Sequence, residues 1–524
     1  MYYVYLLLVQ IILSVVLYIV HYCIWRKQER RYGLILLLCV NIPFLTYNVF
    51  NPLYDGPIFT HLSDNRSPIQ GMVIRNWGDT IQCKPAHILH PTTVEEVQDI
   101  VRTSDKIRVV GGGHSFSPLV CTEYTLLSLS KMDSILNRTD NTVTCQAGSS
   151  IKKLITRLLE TEKIIHGFGS IQDQSLAGAF STSHHGLTFN SFAEDVISIS
   201  AVLANGTIFH TSDLYFWRSH LGLLGIITSM TVKTYPNSQV RVKQSKITID
   251  EAIQLLPQAD AGIIETNYNQ RDQGLLKYIT IVGGAKNEKY PIKTDDFVSA
   301  IWDSIVIPTV VLFPSLSTLP LLNYVGTSEI EAPMVEAWSK FPEYGMMYSA
   351  YAIPFENCSK FLSSIDSGPH SVSTILIRYL RAQENTTCLT FATKNACVVD
   401  VYDLQSQDTL EAFHLDIEDV VNKYGGMSHW GKYYVGDMQK QVSHMPCYET
   451  FKNYRDLLDP EQKFVNNYTR EILNLRVNPN RYKKNNYPAK RIGFIIAFLI
   501  SCTTTVYLLV AGCFQTHNYK LLRQ

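Results

Sequence analysis

The stretch Arg108-Val-Val-Gly111-Gly112-Gly113-His114-Ser115-Phe116-Ser117-Pro118 constrains this chain more than any other. The β-branched run Ile107 to Val110 ends abruptly in three glycines. Glycine lets a backbone approach a ligand closely and aim successive N–H groups at an anion. No Gly-Lys-Ser/Thr follows, so the loop is not a P-loop, and the GxGxxG spacing of a dinucleotide turn is also missing. From the residues alone it is an anion-binding loop or a plain tight turn. A second loop, Gly167 to Gly186, mixes glycines with small and hydroxyl side chains, among them Asp173, Gln174, Gly178, Ser181, Thr182, Ser183, His184 and His185. Such a segment packs poorly as core but suits a backbone lying against a planar, phosphorylated cofactor. Helical spacing from Ile151 to Glu160 places a helix between the two loops, which together signal more than either alone.

The surroundings read as mixed α and β. Val94 to Thr103 has helical spacing with Thr92 or Thr93 placed to cap it. Val196 to Leu203, Asn205-Gly206 and Thr207 to His210 predict a hairpin. Leu224 to Thr234, Tyr278 to Val282 and Thr374 to Tyr379 read as strands, and Cys358 to Ile365 as a helix.

Composition bears on what surrounds this body. Forty-six basic residues balance forty-six acidic ones, which argues against a nucleic-acid binder. Charged residues reach only 18%, and much of that deficit sits at the ends. Tyr2 to Ile24 and Ile492 to Phe514 carry no charge and are long enough to cross the ~30 Å core of a bilayer. Leu34 to Phe50 is a shorter apolar stretch, broken by Asn41 and Pro43, that reads as a second span or an interfacial helix. Ser304 to Leu322 is apolar too, but Pro308, Pro314 and Pro320 argue against a membrane helix there. N-x-S/T sequons at Asn65, Asn137, Asn205, Asn357, Asn385 and Asn467 suit a luminal body, whereas the basic flank Arg481 to Arg491 favours the cytosolic side. The expectation leans to the lumen of the endoplasmic reticulum or another endomembrane. Cys83, Cys121, Cys145, Cys358, Cys388, Cys397 and Cys447 lie outside the apolar stretches, an odd set whose pairing sequence does not give. His184 and His185 lack companion ligands at metal spacing, so no metal site is expected.

Taken in order, these pieces resemble a known family. Asn76-Trp77, Pro91, Val94-Glu95-Glu96-Val97 and Gly111-Gly-Gly-His-Ser115 come first. Ser130-Lys131-Met132, Ala147-Gly148, Asp173-Gln174, Ala177-Gly178, Ser181-Thr182, His185-Gly186 and Leu221-Gly222-Leu-Leu-Gly225-Ile226 follow. Ser428-His429-Trp430-Gly431-Lys432 and Leu458-Asp459-Pro460 with Phe464, Asn466 and Tyr468 come late. The set is similar to the vanillyl-alcohol-oxidase (PCMH-type) flavoproteins, most nearly the aldonolactone oxidases. The resemblance implies an α+β fold: a PCMH-type FAD-binding domain at 76–240, a substrate or cap domain at 241–420 and a tail at 421–480 returning to the first. Residues 1–50 would form the N-terminal anchor, 51–75 a linker, and 481–524 a basic flank with the C-terminal transmembrane helix.

The resemblance also implies FAD held by Gly111, Gly112, Gly113, His114, Ser115, Ser117, Asp173, Gln174, Gly178, Ser181, Thr182, His185, Gly186, Gly225 and Ile226. His114 would be the covalent link to the flavin. Lys432, His429 and Arg378 would be the catalytic side chains, with Lys432 stabilising negative charge on the reduced flavin. The substrate would be a sugar lactone or related alcohol, and oxygen or another acceptor would reoxidise the cofactor. Three positions depart from the family pattern. Ala350 and Leu376 stand where carboxylates are expected, and Ser183 replaces a glycine. Ala350 and Leu376 leave open an FAD-binding membrane scaffold without turnover, and the anchors would also suit a flavoenzyme acting on a sterol or lipid.

Overall fold

The computed structural model describes residues 73–76, 81–169, 171–186, 188–266, 273–283, 328–335, 347–365, 374–383, 385, 387–403, 407–434, 436–443, 445 and 447–475. The apolar stretches Tyr2 to Ile24, Leu34 to Phe50, Ser304 to Leu322 and Ile492 to Phe514 lie outside these residues, as does Trp77. Among the described residues, no helix is long and apolar enough to cross a membrane.

The glycine loop grows out of a small parallel sheet ordered His87–Leu89, Thr125–Ser128, Ile107–Val110. Parallel strands need a crossover, and helix Val94–Thr103 supplies it between the first and third. Thr93 caps that helix by accepting from the Glu96 N–H at 3.2 Å, while Thr92 donates its own N–H to the Glu96 carboxylate. Val97 and Val101, one turn apart, face the core.

A five-stranded antiparallel sheet follows, ordered Ile208–Thr211, Val196–Val202, Ile226–Lys233, Thr142–Gln146, Ile135–Arg138. Ile208 stands opposite Val202, the register expected of a hairpin turning at Asn205-Gly206. Helix Ile151–Leu159, capped by Ser150, buries Ile151, Leu154, Ile155 and Leu158. It leads through the pair Lys163–Ile164 and Tyr235–Pro236 to the second glycine loop.

The later residues build an eight-stranded sheet. Its order is Ser328–Pro333, Gln239–Thr248, Gln273–Gly283, Ala261–Thr266, Thr374–Leu380, Ala396–Asp403, Met347–Pro354, Met427–Ser428. One face buries Tyr351, Ile353, Ile375, Ile377, Val399 and Val401 in a cluster with residues of helices Ile249–Leu255, Cys358–Ser364 and Gln407–Lys423. The opposite face carries Ala350, Ala352, Val398 and Leu380, which cluster with Phe391. The chain then returns: Trp430, Met438, Phe451, Phe464 and Tyr468 are buried in the same core as Ile107, Leu127 and Val143. Arg108 ties this return together from inside. It donates to the carbonyls of Leu119 (2.7 Å), Phe464 (2.6 Å), Leu221 (2.8 Å) and Gly222 (3.3 Å).

Cysteine side chains are paired as Cys83–Cys121, Cys358–Cys397 and Cys388–Cys447, with Cα separations of 5.6, 6.0 and 5.8 Å. Cys145 is left over in the core, where burial pushes its thiol up to about 12.

Candidate active site

The two glycine loops and the late Trp430-containing segment meet. Gly113 takes φ of +67°, a conformation glycine adopts without strain, at the point where the chain leaves its strand. Beside it, a Cβ on Gly112 would fall 2.7 Å from the carbonyl oxygen of Asp173, so the first loop lies directly against the second. From the other side, the Phe116 N–H donates to the Gly431 carbonyl at 2.8 Å. The Ser117 hydroxyl donates to the Trp430 carbonyl at 2.6 Å. The Ser115 carbonyl accepts from the Asn76 amide at 3.0 Å.

The histidines are fixed by one carbonyl. Ser183 O receives His185 Nδ1 at 3.1 Å and His429 Nε2 at 3.2 Å, so each of those nitrogens carries its proton. His429 Nδ1 is then the acceptor for the Gly431 N–H at 3.0 Å, which is the same tautomer reached independently. Ser183 itself has φ of +59°, which accounts for glycine being usual at this position in the family pattern. The serine is held there by a 2.6 Å hydrogen bond between its hydroxyl and that of Ser219. His184 accepts from the Gly169 N–H at 2.8 Å and so pins the start of the second loop.

Charge in this region is shaped by burial. Burial pushes the Lys432 ammonium down to about 7. Burial, assisted by the nearby Lys432 charge, holds His114 at about 3, and both its ring nitrogens are shielded from solvent. His429 is held at about 4 by burial, with a bond to Ser183 raising it and Arg378 lowering it. Burial and then Arg378 keep His185 well below its ordinary value. All three imidazoles are therefore neutral at physiological pH. Arg378 is ion-paired through Nη2 to Oδ2 of Asp400, a carboxylate with 0% exposure.

Other expected site residues are placed differently. The Asp173 side chain is 42% exposed and lies 3.9 Å from Lys152, so this residue meets the first loop through its backbone and not its carboxylate. Gln174 likewise offers backbone, with its carbonyl accepting from the Ile151 N–H. Ser181 and Thr182 donate to the Ala177 and Gly178 carbonyls of their own short helix, Leu176–Ser181. Gly186 packs against the Phe168 carbonyl, where a Cβ would collide. Gly225 abuts Val202 and Trp217, and Ile226 is buried in the core as the first residue of its strand.

Two site residues were not foreseen. Phe391 packs between the histidines, its ring centroid 5.4 Å from His185 and 4.8 Å from His429. Asp400 is the other. A lone carboxylate inside the apolar run Ala396-Cys-Val-Val-Asp-Val is the signal that could have found it.

The site suits a heteroaromatic cofactor. Among the described residues, His185 Nε2, Arg378 Nε and Asp400 Oδ1 are buried without a hydrogen-bond partner. One is a donor and two are acceptors. A ring bearing both C=O and N–H groups, or a substrate bearing hydroxyls, would satisfy such a set.

Comparison with known proteins agrees with this chemistry. Residues 85–212 match the FAD binding domain family, and residues 287–472 match the D-arabinono-1,4-lactone oxidase family. An L-gulono-1,4-lactone dehydrogenase of Mycobacterium tuberculosis is 24% identical over 429 residues, covering 76% of this chain and 98% of that protein. An L-gulonolactone oxidase of Scyliorhinus torazame is 23% identical over 443 residues, covering 76% and 97%. A D-arabinono-1,4-lactone oxidase of Debaryomyces hansenii reaches 32% over 205 residues but covers only 34% of this chain and 37% of that protein. Among solved structures, a cholesterol oxidase from B. sterolicum superposes with a TM-score of 0.60 at 17% identity, over 78% of this chain and 97% of that one. That last likeness concerns the fold.

Proposed function

We propose that this chain, a member of the FAD-linked aldonolactone oxidase family, oxidises a secondary alcohol of an aldonolactone-like sugar derivative from a membrane-anchored position. The observation that carries the reading is the bonding of the Trp430-Gly431 backbone to Phe116 and Ser117, which brings Lys432 to the His114 loop. Bound FAD supplies a two-electron acceptor for the hydride leaving the substrate carbon. The chain's own groups do the rest. Gly111 to Ser117 and the 173–186 loop would hold the cofactor by backbone. His114, kept neutral, has a free-base imidazole of the kind a covalent bond to the cofactor requires.

Lys432 stabilises charge differentially. A lysine pushed to about 7 by burial binds its proton more tightly as negative charge develops beside it. Beside bound FAD, the Lys432 ammonium would thus favour negative charge that develops on the cofactor, stabilising the transition state over the ground state. His429, locked as the Nε2–H tautomer by Ser183 and Gly431, orients the segment that carries Lys432.

Anchoring rests on the uncharged stretches Tyr2 to Ile24 and Ile492 to Phe514. We place the body in the lumen of an endomembrane. The three cysteine pairs favour an oxidising compartment. Asn137 and Asn205 are exposed together with the threonines of their sequons. Purified full-length protein should be yellow and should bleach on anaerobic addition of L-gulono- or D-arabinono-1,4-lactone. A flavin that stays oxidised with every lactone tried refutes the substrate class. In sealed microsomes the body should resist added protease and shift on glycosidase treatment; digestion without a shift refutes the luminal placement.

A further inference from the structure

The sheet register places three residues in one row. Ala350 stands opposite Asp400 on one side, and Leu376 stands opposite Asp400 on the other. Directly opposed residues of antiparallel strands point to the same face. Arg378, two residues beyond Leu376, shares that face and reaches Asp400. The two positions where carboxylates were expected therefore flank a carboxylate that sits on the strand between them.

Its setting is not that of a structural ion pair alone. Asp400 is fully buried, and Arg378 satisfies only Oδ2. Among the described residues, Oδ1 has no hydrogen-bond partner. A buried, half-satisfied carboxylate is costly, and exceptions of that kind call for an explanation. Glu265, the next place outward in the same row, is solvent-exposed. The face itself leads to the site. Ala350 accepts the His429 N–H at 2.9 Å, and Phe391, which clusters with Ala350 and Val398, packs on both His185 and His429.

We propose that Asp400 is the proton acceptor of the reaction, its Oδ1 taking the hydroxyl proton of the substrate while Arg378 holds Oδ2. The inference rests on the lactone-oxidation reading above. In balanced form, the substrate C–H leaves as hydride and both its electrons pass to FAD. The O–H bond breaks, its proton goes to Oδ1, and the electron pair it leaves closes the C=O bond. The proton departs to water after the product does, and the acceptor that reoxidises FAD completes the cycle. Burial raises the Asp400 carboxyl above its ordinary value, with Arg378 opposing that rise, and a raised carboxyl is a stronger base. Around this pair, Arg378 also opposes protonation of His184, His185 and His429, and Glu265 lies two strands along the same row.

The test uses full-length holoprotein as wild type, as Asp400→Asn, and as Asp400→Ala combined with Leu376→Glu, which moves the carboxylate one strand along the same face. Two quantities are read: the rate of anaerobic bleaching by lactone against pH, and the absorbance of the oxidised flavin titrated from acid to alkaline pH without substrate. Asp400→Asn should keep its flavin, bleach ~10²–10⁴-fold more slowly and lose the rise of rate with pH. The double variant should recover at least about tenfold of that loss and regain a pH-dependent limb. A wild-type rate and profile in Asp400→Asn overturns the assignment, as does a double variant no faster than Asp400→Asn. If no lactone bleaches the wild type, the substrate reading falls, and the flavin titration then decides on Asp400 alone. A spectral step lost in Asp400→Asn supports a titrating carboxylate at the site, and the same step in both proteins overturns it.

Discussion

Lys432 sets stability against chemistry, and replacing it with methionine separates the two. Burial takes this ammonium from 10.5 to about 7. At ~1.36 kcal/mol per pKa unit, charging Lys432 in the folded chain costs at most about 5 kcal/mol. The unfolded chain keeps the proton up to about 10.5, whereas the folded chain releases it near 7. Between those values the unfolded state binds more protons, so folding stability rises with pH through this window. Lys432→Met removes the penalty. The variant should be more stable than wild type at and below neutrality, and the advantage should shrink steadily until it vanishes near the upper limit. With an unfolding entropy of ~2.1 cal/mol/K per residue over about 400 residues, each kcal/mol moves Tm by roughly 1 °C. Scanning fluorimetry of the detergent-solubilised protein across pH should therefore show a neutral-pH gain of up to ~5 °C. Turnover should fall ~10²–10³-fold in the same variant, the usual loss when a transition-state charge partner is removed. A methionine variant with equal or lower Tm at neutral pH, or with an advantage that does not change with pH, refutes the argument that Lys432 is held desolvated.

Three further outcomes follow from the site and its supports. On a denaturing gel washed with acid, wild-type protein should fluoresce from attached flavin and His114→Ala should not, while the native variant stays yellow; absent wild-type fluorescence excludes the covalent link. The Cys388–Cys447 bridge spans 59 positions, so replacing both cysteines with serine should cost about 4 kcal/mol in a denaturant titration. An unchanged midpoint, with both wild-type thiols open to alkylation, shows that the bridge does not form. Arg108→Met removes four bonds to backbone carbonyls, of which that of Leu119 keeps another donor, Asn466; at ~1.5–3 kcal/mol per charge-assisted bond the variant should fail to accumulate as flavin-loaded protein. A wild-type yield and midpoint would contradict that role.

Local signals were legible where the chain decides structure over short spans. Helices Val94–Thr103 and Ile151–Leu159, strand Ile107–Val110 and the hairpin at Asn205-Gly206 follow from spacing, caps and turn residues a few positions apart. Motifs also marked the segments that carry His114, His185 and His429, since each lies in a segment with its own signature. Ser183 was visible as a departure from the family pattern, but its left-handed φ and the Ser219 hydroxyl that sustains it were not. Asp173 and Ile226 show that a motif match marks a segment, while the side chain at that position can turn to solvent or into the core. Asp400 was hidden for a third reason. Its place between Ala350 and Leu376 depends on the pairing of three strands, and register across a sheet is a tertiary property. Read position by position, the two missing carboxylates looked like loss of function. Across the sheet, a buried carboxylate stands on the strand between those two positions.

The bond from Ser117 to the Trp430 carbonyl joins residues 313 positions apart, and that from Arg108 to Phe464 joins residues 356 apart. During synthesis the first glycine loop emerges long before the segment that closes it. A chain arrested before Trp430 would carry the whole 85–212 match and still lack Lys432 and the anchor for Phe116. Full cofactor capture should therefore wait for that late segment. Substitutions at Phe464 or Tyr468, in the returning tail, should show first as colourless protein, and only then as slow enzyme.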